Sequence, residues 1–593
     1  MHLDSTRSSY KGRVYVSYRI ARSVREGDTV RKEVLFPLGQ LTDQQVQQVK
    51  LILHAIRKPQ EVLVALKEVI PTSAESYLDV AVACHLWDYW DLDLALPVST
   101  ESELPTHQVA RILTVNRCVN ACSNYAIPRW IRQTALPKML HIATEKLNDD
   151  KIYYELDRIE QNKEQIEKHL FEVTRARNPD SYEFVNYDLS SSYFVGIRCS
   201  LSRFGRSKDN QPYRRQVILA LLVNAEGYPF KWDVFPGNQA EVHTLEQNVA
   251  ACRQLGLKSV TMVFDRGLVS KKNLKMLTAD EQSKFISALD KPQIPKVPGI
   301  DLRPFAHLPE KAAEKRLKSW PGFRSFDGKV FFKDLGVVEG TRYVLSINTK
   351  LLREERKLRR QKLRQFASFL RALNTELSKA QRDRDPQATR NNVAGKLKKL
   401  KLSRFFEEPV LKPITVKHST TRGTHRAVPS FQVELKRKKA VLAEAKLLDG
   451  LCVFISNHVA KRGRGYAMGA QNILQAYRDK TQIEDAFKNM KSFVKIRPFF
   501  VNTEQHVRAV FTICVLAYHI NKTLARMRRQ IEGKDYLNSC ELYAPFTASK
   551  LVTMKDPASG TTSEKIIPPS REARLLLKEL GLSGLLRIPE PGM

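Results

Sequence analysis

Tyr477, Lys480, Glu484 and Lys491 recur along residues 476–491, a stretch without Gly or Pro. At 100° per residue a helix gathers these four within about 60° of arc. Ala476, Ile483, Phe487 and Met490 form a second stripe, roughly 80° round from the first. One face is therefore built for a core. Its neighbour carries a carboxylate, two amines and a phenol. A carboxylate beside cations suits a metal site that also holds phosphate. A solvated helix face has the same composition. Two upstream carboxylates bear on the choice. Asp188 lies near the end of a strand pattern at 184–189 (FVNYDL), and Asp265 follows an apolar strand pattern at 259–264 (SVTMVF). Parallel neighbours of this kind bring both acids to one sheet edge, where they repel unless a divalent cation lies between them. Asp at a strand end also starts turns on its own account.

The elements that must hold these residues read as follows. Strands are expected at 184–189 and 193–199, then a central, fully apolar one at 216–223, then one at 230–235. A helix runs from about 241 to 255 and ends at Gly256. The order is three strands in meander, a helix, then a strand. The pattern is interrupted between 291 and 448. Strands at 329–333 and 341–347 precede a very basic helix at 351–377. The basic run 396–401 and strands at 413–417 and 430–436 follow. Charge this dense is expected to lie against phosphates. Strand 451–456 returns to the core, and an apolar helix, 504–528, packs behind the Glu484 helix.

Upstream, alternating residues from Val14 to Ile20 and a run at 29–38 make a hairpin. Thr42 with Gln45 forms a capping box for a helix to about Ile56. Helices continue to about Arg177, the longest at 144–175, with Arg111, Arg117, Arg129 and Arg132 clustered around Trp130. That cluster slightly favours a binding role for this third. A small tail with a strand at 550–554 and a helix at 571–580 closes the chain.

Composition bounds the partner. The 593 residues include 98 Lys and Arg against 63 Asp and Glu, a net charge of +35. Such an excess predicts a polyanionic partner, most simply nucleic acid, although a ribosome or an anionic membrane surface fits the same number. The amino terminus has no apolar run, and the longest apolar stretch, 509–520, is too short to span a bilayer. The expected location is the cytoplasm. Of eight scattered cysteines only Cys118 and Cys122 are close, so reduced thiols are expected rather than a zinc site.

The spacing Tyr477-x2-Lys480-x3-Glu484-x6-Lys491 resembles the Tyr-Arg-Glu-Lys signature of bacterial insertion-sequence transposases of the DDE type. YDLSSSYF around Asp188 and VFDRGLVS around Asp265 resemble that family's two Asp motifs, and the insertion before the Glu helix is similar too. Lys480 stands where the signature has Arg; it supplies a cation but no bidentate fork. The resemblance implies an α/β, ribonuclease-H-like mixed-sheet core interrupted by an α+β insertion, behind an N-terminal β-plus-helical region. The domains expected are a β unit at 1–40, a helical DNA-binding or dimerisation region at 41–178, core at 179–290, basic insertion at 291–448, core again at 449–530, and a tail at 531–593. It also implies cleavage and strand transfer at transposon ends on double-stranded DNA, by at least a dimer close to the nucleoid. Asp188, Asp265 and Glu484 would hold two Mg²⁺ ions, or Mn²⁺, while Tyr477, Lys480 and Lys491 would contact end phosphates. A ribonuclease-H-like nuclease without transposition and a catalytically silent DNA-binding regulator remain as alternatives.

Overall fold

The alternating pattern at the amino terminus folds as a three-stranded antiparallel sheet in a computed structural model of the chain. The structure describes residues 1–58, 69–97, 104–205, 211–240, 243–257, 259–278, 282–419, 425–463, 465–497, 499–536, 538–557 and 560–588. The strands are β1 (His2–Tyr10), β2 (Arg13–Glu26) and β3 (Thr29–Gly39). β1 is unanticipated because its polar run shows no apolar alternation. Thr42 and Gln45 do form a reciprocal capping box on the helix Asp43–Arg57. Such a cap contributes about 1 kcal/mol. β4 (Ile70–Ser76) pairs antiparallel with the tail strand Lys550–Lys555, which in turn pairs with Thr562–Ile566. The tail is therefore part of a sheet with an early segment of the chain, a pairing no local pattern reveals. Met1–Asp79, Arg132–Met139 and Pro545–Met593 make one compact unit; Val80–Ile131 and Leu140–Ala544 make the other.

The second unit is built on a nine-stranded sheet. Its centre comprises β5 (Phe184–Tyr193), β6 (Gln216–Asn224), β7 (Pro229–Pro236), β8 (Thr261–Phe264) and β9 (Lys284–Ala288). β5, β6 and β7 form an antiparallel meander; a four-residue turn joins β6 to β7, while β5 reaches β6 through a longer connection. β8 pairs parallel to β5 and β9 parallel to β8. The order β9-β8-β5-β6-β7 with these directions is the ribonuclease-H-like arrangement. β5 ends at Tyr193, and the strand expected at 193–199 does not continue; Gly196 at φ +124° turns the chain. Asp188 accordingly lies mid-strand rather than near an end. The helix expected at about 241–255 is Leu245–Gln254, residues 241 and 242 lying outside the described ones.

The sheet continues through β10 (Arg324–Ser325), β11 (Val330–Val338) and β12 (Thr341–Asn348) to β15 (Leu451–Ser456), which reaches β9. β11 and β12, expected inside the inserted domain, thus belong to the core sheet. Leu345 pairs with Val453, and both bury with Phe331 and Ile347. The elements with a separate core begin at the basic helix, Thr349–Leu377. That core joins Phe366, Leu373 and Leu377 to Val393, Leu397, Phe405 and Val433, the last from the hairpin of β13 (Val410–Ser419) and β14 (His425–Glu434).

Each face of the central sheet has its own cover. Tyr187, Met262 and Phe264 bury with Leu245, Val249 and Cys252 on one side. On the other, Val263, Ile286 and Phe454 bury with Ile473, Leu474 and Ala476. The long helix expected at 144–175 is two, Asp149–Gln161 and Lys163–Arg177; the Asn162 amide between them donates to the Arg158 carbonyl. The apolar helix Glu504–Glu532 is fixed to the meander by the Trp232 indole donating to Thr512. Among the described residues, no helix is long and apolar enough to cross a membrane.

Candidate active site

β5 and β8 carry Asp188 and Asp265 to the same place. The parallel register ends at Tyr187 opposite Phe264, so the next residue on each strand is the acid. Both side chains are half-buried. The expected helix over 476–491 arrives as two, Ala470–Asp479 and Thr481–Ser492, which meet at Lys480. Lys480 keeps right-handed torsions, φ −54° and ψ −22°, while the helical hydrogen-bond ladder restarts after it. The first helix covers β8, β9, β11 and β15, and the second covers β5 and β6. Ala476, Ile483, Phe487 and Met490 are all buried, as the apolar stripe predicts.

The polar stripe meets the acids. The Tyr477 hydroxyl donates to Asp265 Oδ1 at 3.2 Å, and its ring lies 5.0 Å from that of Phe454. Burial first, then the neighbouring Asp265 carboxylate, hold the phenol well above its usual pKa. Lys480 is 5 % exposed, and its ammonium donates to Glu484 Oε1 at 2.9 Å. Burial opposes its charge, but Asp188, Asp265 and Glu484 together outweigh that and raise its pKa. Glu484 sits in the first turn of its helix, where the dipole favours an anion, and its side chain is 58 % exposed. Lys491 is half-buried in the last turn of the same helix. Arg478, next to Tyr477, pairs with Asp327 at 2.8 Å.

Five of the six expected residues thus surround one spot, through an ammonium that all three carboxylates stabilise. Lys480, expected on DNA, directs its charge inward. The donor chemistry fits a divalent metal ion: three carboxylates supply hard oxygens, and the spot already holds a cation. As the side chains stand, no three His, Cys, Asp or Glu groups among the described residues are close enough together to hold an ion.

Supports that the sequence did not announce hold this arrangement. Lys522, from the helix behind, donates to Gln482 at 2.8 Å and ties down the Glu484 helix. The clustered arginines around Trp130 are partly structural. Arg111 pairs with Asp88 at 2.6 Å, and Arg117 donates to the Val494 and Lys495 carbonyls at 3.2 Å. The cysteines are free thiols.

Residues 196–520 match a family model described as the transposase DDE domain. With more than half its length in that match, the chain belongs to the DDE transposases, a family that uses divalent metal ions. Residues 3–64 match the N-terminal domain of the IS1634 family transposase, an insertion-sequence group. Among solved structures, the chain is similar to a Mos1 transposase paired-end complex with left transposon end, at 10 % identity and a TM-score of 0.13. That match spans 31 % of this chain and 58 % of the other, too slight a likeness to carry an argument. No curated protein matches the chain.

Proposed function

We propose that this chain binds the terminal inverted repeats of an insertion sequence and catalyses metal-dependent DNA cleavage and strand transfer. The observation that carries the reading is the gathering of Asp188, Asp265 and Glu484 around Lys480, with Tyr477 on Asp265. Asp188, Asp265 and Glu484 would hold two Mg²⁺ ions, with Mn²⁺ as a substitute. Bound there, the metal supplies an activated oxygen nucleophile and charge relief for the leaving oxygen of an in-line displacement. The protein's part is to hold Asp188 and Asp265 on neighbouring strands, to carry Glu484 on the helix that covers them, and to orient Asp265 through the Tyr477 hydroxyl. Tyr477 and Lys491 would contact end phosphates, where a phenol and an ammonium position DNA without reading bases. No covalent intermediate with the chain is required. Two copies of the chain would pair two ends, since each copy offers one such site.

The test is cleavage of a labelled duplex carrying the terminal repeat, in Mg²⁺ and in EDTA, by wild type and Glu484→Gln. Metal-dependent cuts at the repeat boundary, lost in the mutant while end binding persists, are expected. Cutting that ignores the repeat would replace the reading with a general nuclease, and repeat binding without cutting would replace it with a regulator.

A further inference from the structure

We infer that Lys480 is the resident counter-ion of the acidic cluster, and that a divalent cation displaces its ammonium rather than joining it. The inference rests on the assignment of Asp188, Asp265 and Glu484 as metal ligands. It starts from burial. An ammonium that is 5 % exposed is expensive to keep charged unless carboxylates surround it. Lys480 has them: Glu484 at 2.9 Å, with Asp188 and Asp265 near enough to act on its charge. Its positive charge therefore offsets the repulsion among the three acids.

The same arrangement leaves little for a metal. One oxygen of Glu484 is taken by the ammonium, and one oxygen of Asp265 by the Tyr477 hydroxyl. A divalent ion entering here meets a fixed positive charge, so it binds well only when that charge moves off. Lys480 stands at the joint between two helices, and a lysine carries its charge on a flexible four-carbon stem. Lys480 is therefore a positioning residue: it keeps the acids in place before the metal arrives and sets the threshold for metal entry.

A purely structural ion pair makes a different prediction. Deleting it would weaken the fold and, with it, the metal site. A competing counter-ion, once deleted, leaves a stronger site.

The experiment is calorimetric titration of Mn²⁺ into the full chain without DNA, for wild type, Lys480→Met and Asp265→Asn, with thermal melts alongside. Wild type is expected to bind Mn²⁺ and Asp265→Asn to bind it far more weakly. Lys480→Met is expected to bind at least about tenfold more tightly than wild type, as follows from removing a like charge beside the site. Its metal-free form is expected to melt lower than wild type, and saturating Mn²⁺ to close the gap. If Lys480→Met does not fold, Lys480→Gln, which deletes the charge but retains a donor toward Glu484, carries the same expectation. A folded variant that binds Mn²⁺ no more tightly than wild type overturns the counter-ion role and leaves the triad intact. Failure of both wild type and Lys480→Met to bind Mn²⁺, or an Asp265→Asn that binds it equally well, overturns the triad assignment itself.

Discussion

In the basic helix Thr349–Leu377 a buried carboxylate is held by cations, whereas at the joint of the helices Ala470–Asp479 and Thr481–Ser492 a buried cation is held by carboxylates. Asp449, 2 % exposed, takes hydrogen bonds from Arg356 and Arg359, which are themselves mostly buried. Further along the same helix Arg353 pairs with Glu314 and Arg360 with Glu310, and Glu355 receives Lys291. Much of the helix's charge is therefore consumed inside the protein. Around Lys480 the roles are reversed: three carboxylates act on one buried ammonium. Removing one partner of a buried pair is costly to the fold, while a cluster of acids on one buried cation is poised to exchange that cation for another. Charge density along a sequence does not separate the two cases.

Asp449→Asn gives the sharpest test of the matched side. It leaves two guanidiniums in a poorly hydrated setting without their anion, and breaking a buried pair in this way costs about 3–5 kcal/mol. Urea denaturation should show that loss, with the Glu484 site still able to bind Mn²⁺ in the folded fraction. A loss below about 1 kcal/mol, the range of exposed pairs, would mean that Asp449 is solvated and the contrast with Lys480 is overstated.

What the sequence conveys about these two regions follows the range of the interactions. The meander β5-β6-β7 is legible because each strand pairs with its neighbour in the chain. The stripe of Ala476, Ile483, Phe487 and Met490 is legible because helical periodicity is local. The meeting of Asp188 with Asp265 follows from parallel pairing, which the strand–helix–strand order implies. By contrast, β12 joins β15 across the whole basic insertion, and the strands flanking that insertion look like part of it. The partners of the basic helix, Glu310, Glu314 and Asp449, lie far from it in sequence, so its arginines read as free. The break at Lys480 has no marker at all, since neither Gly nor Pro is there.

A smaller effect is expected where the insertion's charge is not matched. Lys398 and Lys399 end the helix Pro386–Leu400, are exposed, and have no acidic partner among the described residues. Lys398→Ala with Lys399→Ala should leave urea stability near wild type and weaken binding to a DNA duplex. The log–log dependence of affinity on salt should become shallower by about one to two units, one per lost phosphate contact. An unchanged slope would return this lysine run to solvent and leave the insertion without an assigned DNA contact.

The smallest effect is expected at Arg360, whose pair with Glu310 is half-exposed at the arginine end. Solvent screens such a pair, and the ordering of two long side chains offsets much of its attraction, so Arg360→Ala should cost no more than about 1 kcal/mol. Because its charge is already directed at Glu310, the salt slope of DNA binding should not move either. Arg360 and Lys399 lie in the same inserted segment and carry the same charge, so the two substitutions differ chiefly in whether an internal acid is waiting. If Arg360→Ala flattens the salt slope as much as the lysine pair does, internal pairing fails to withdraw an arginine from DNA. The division between matched and unmatched charge would then have to be drawn by exposure alone.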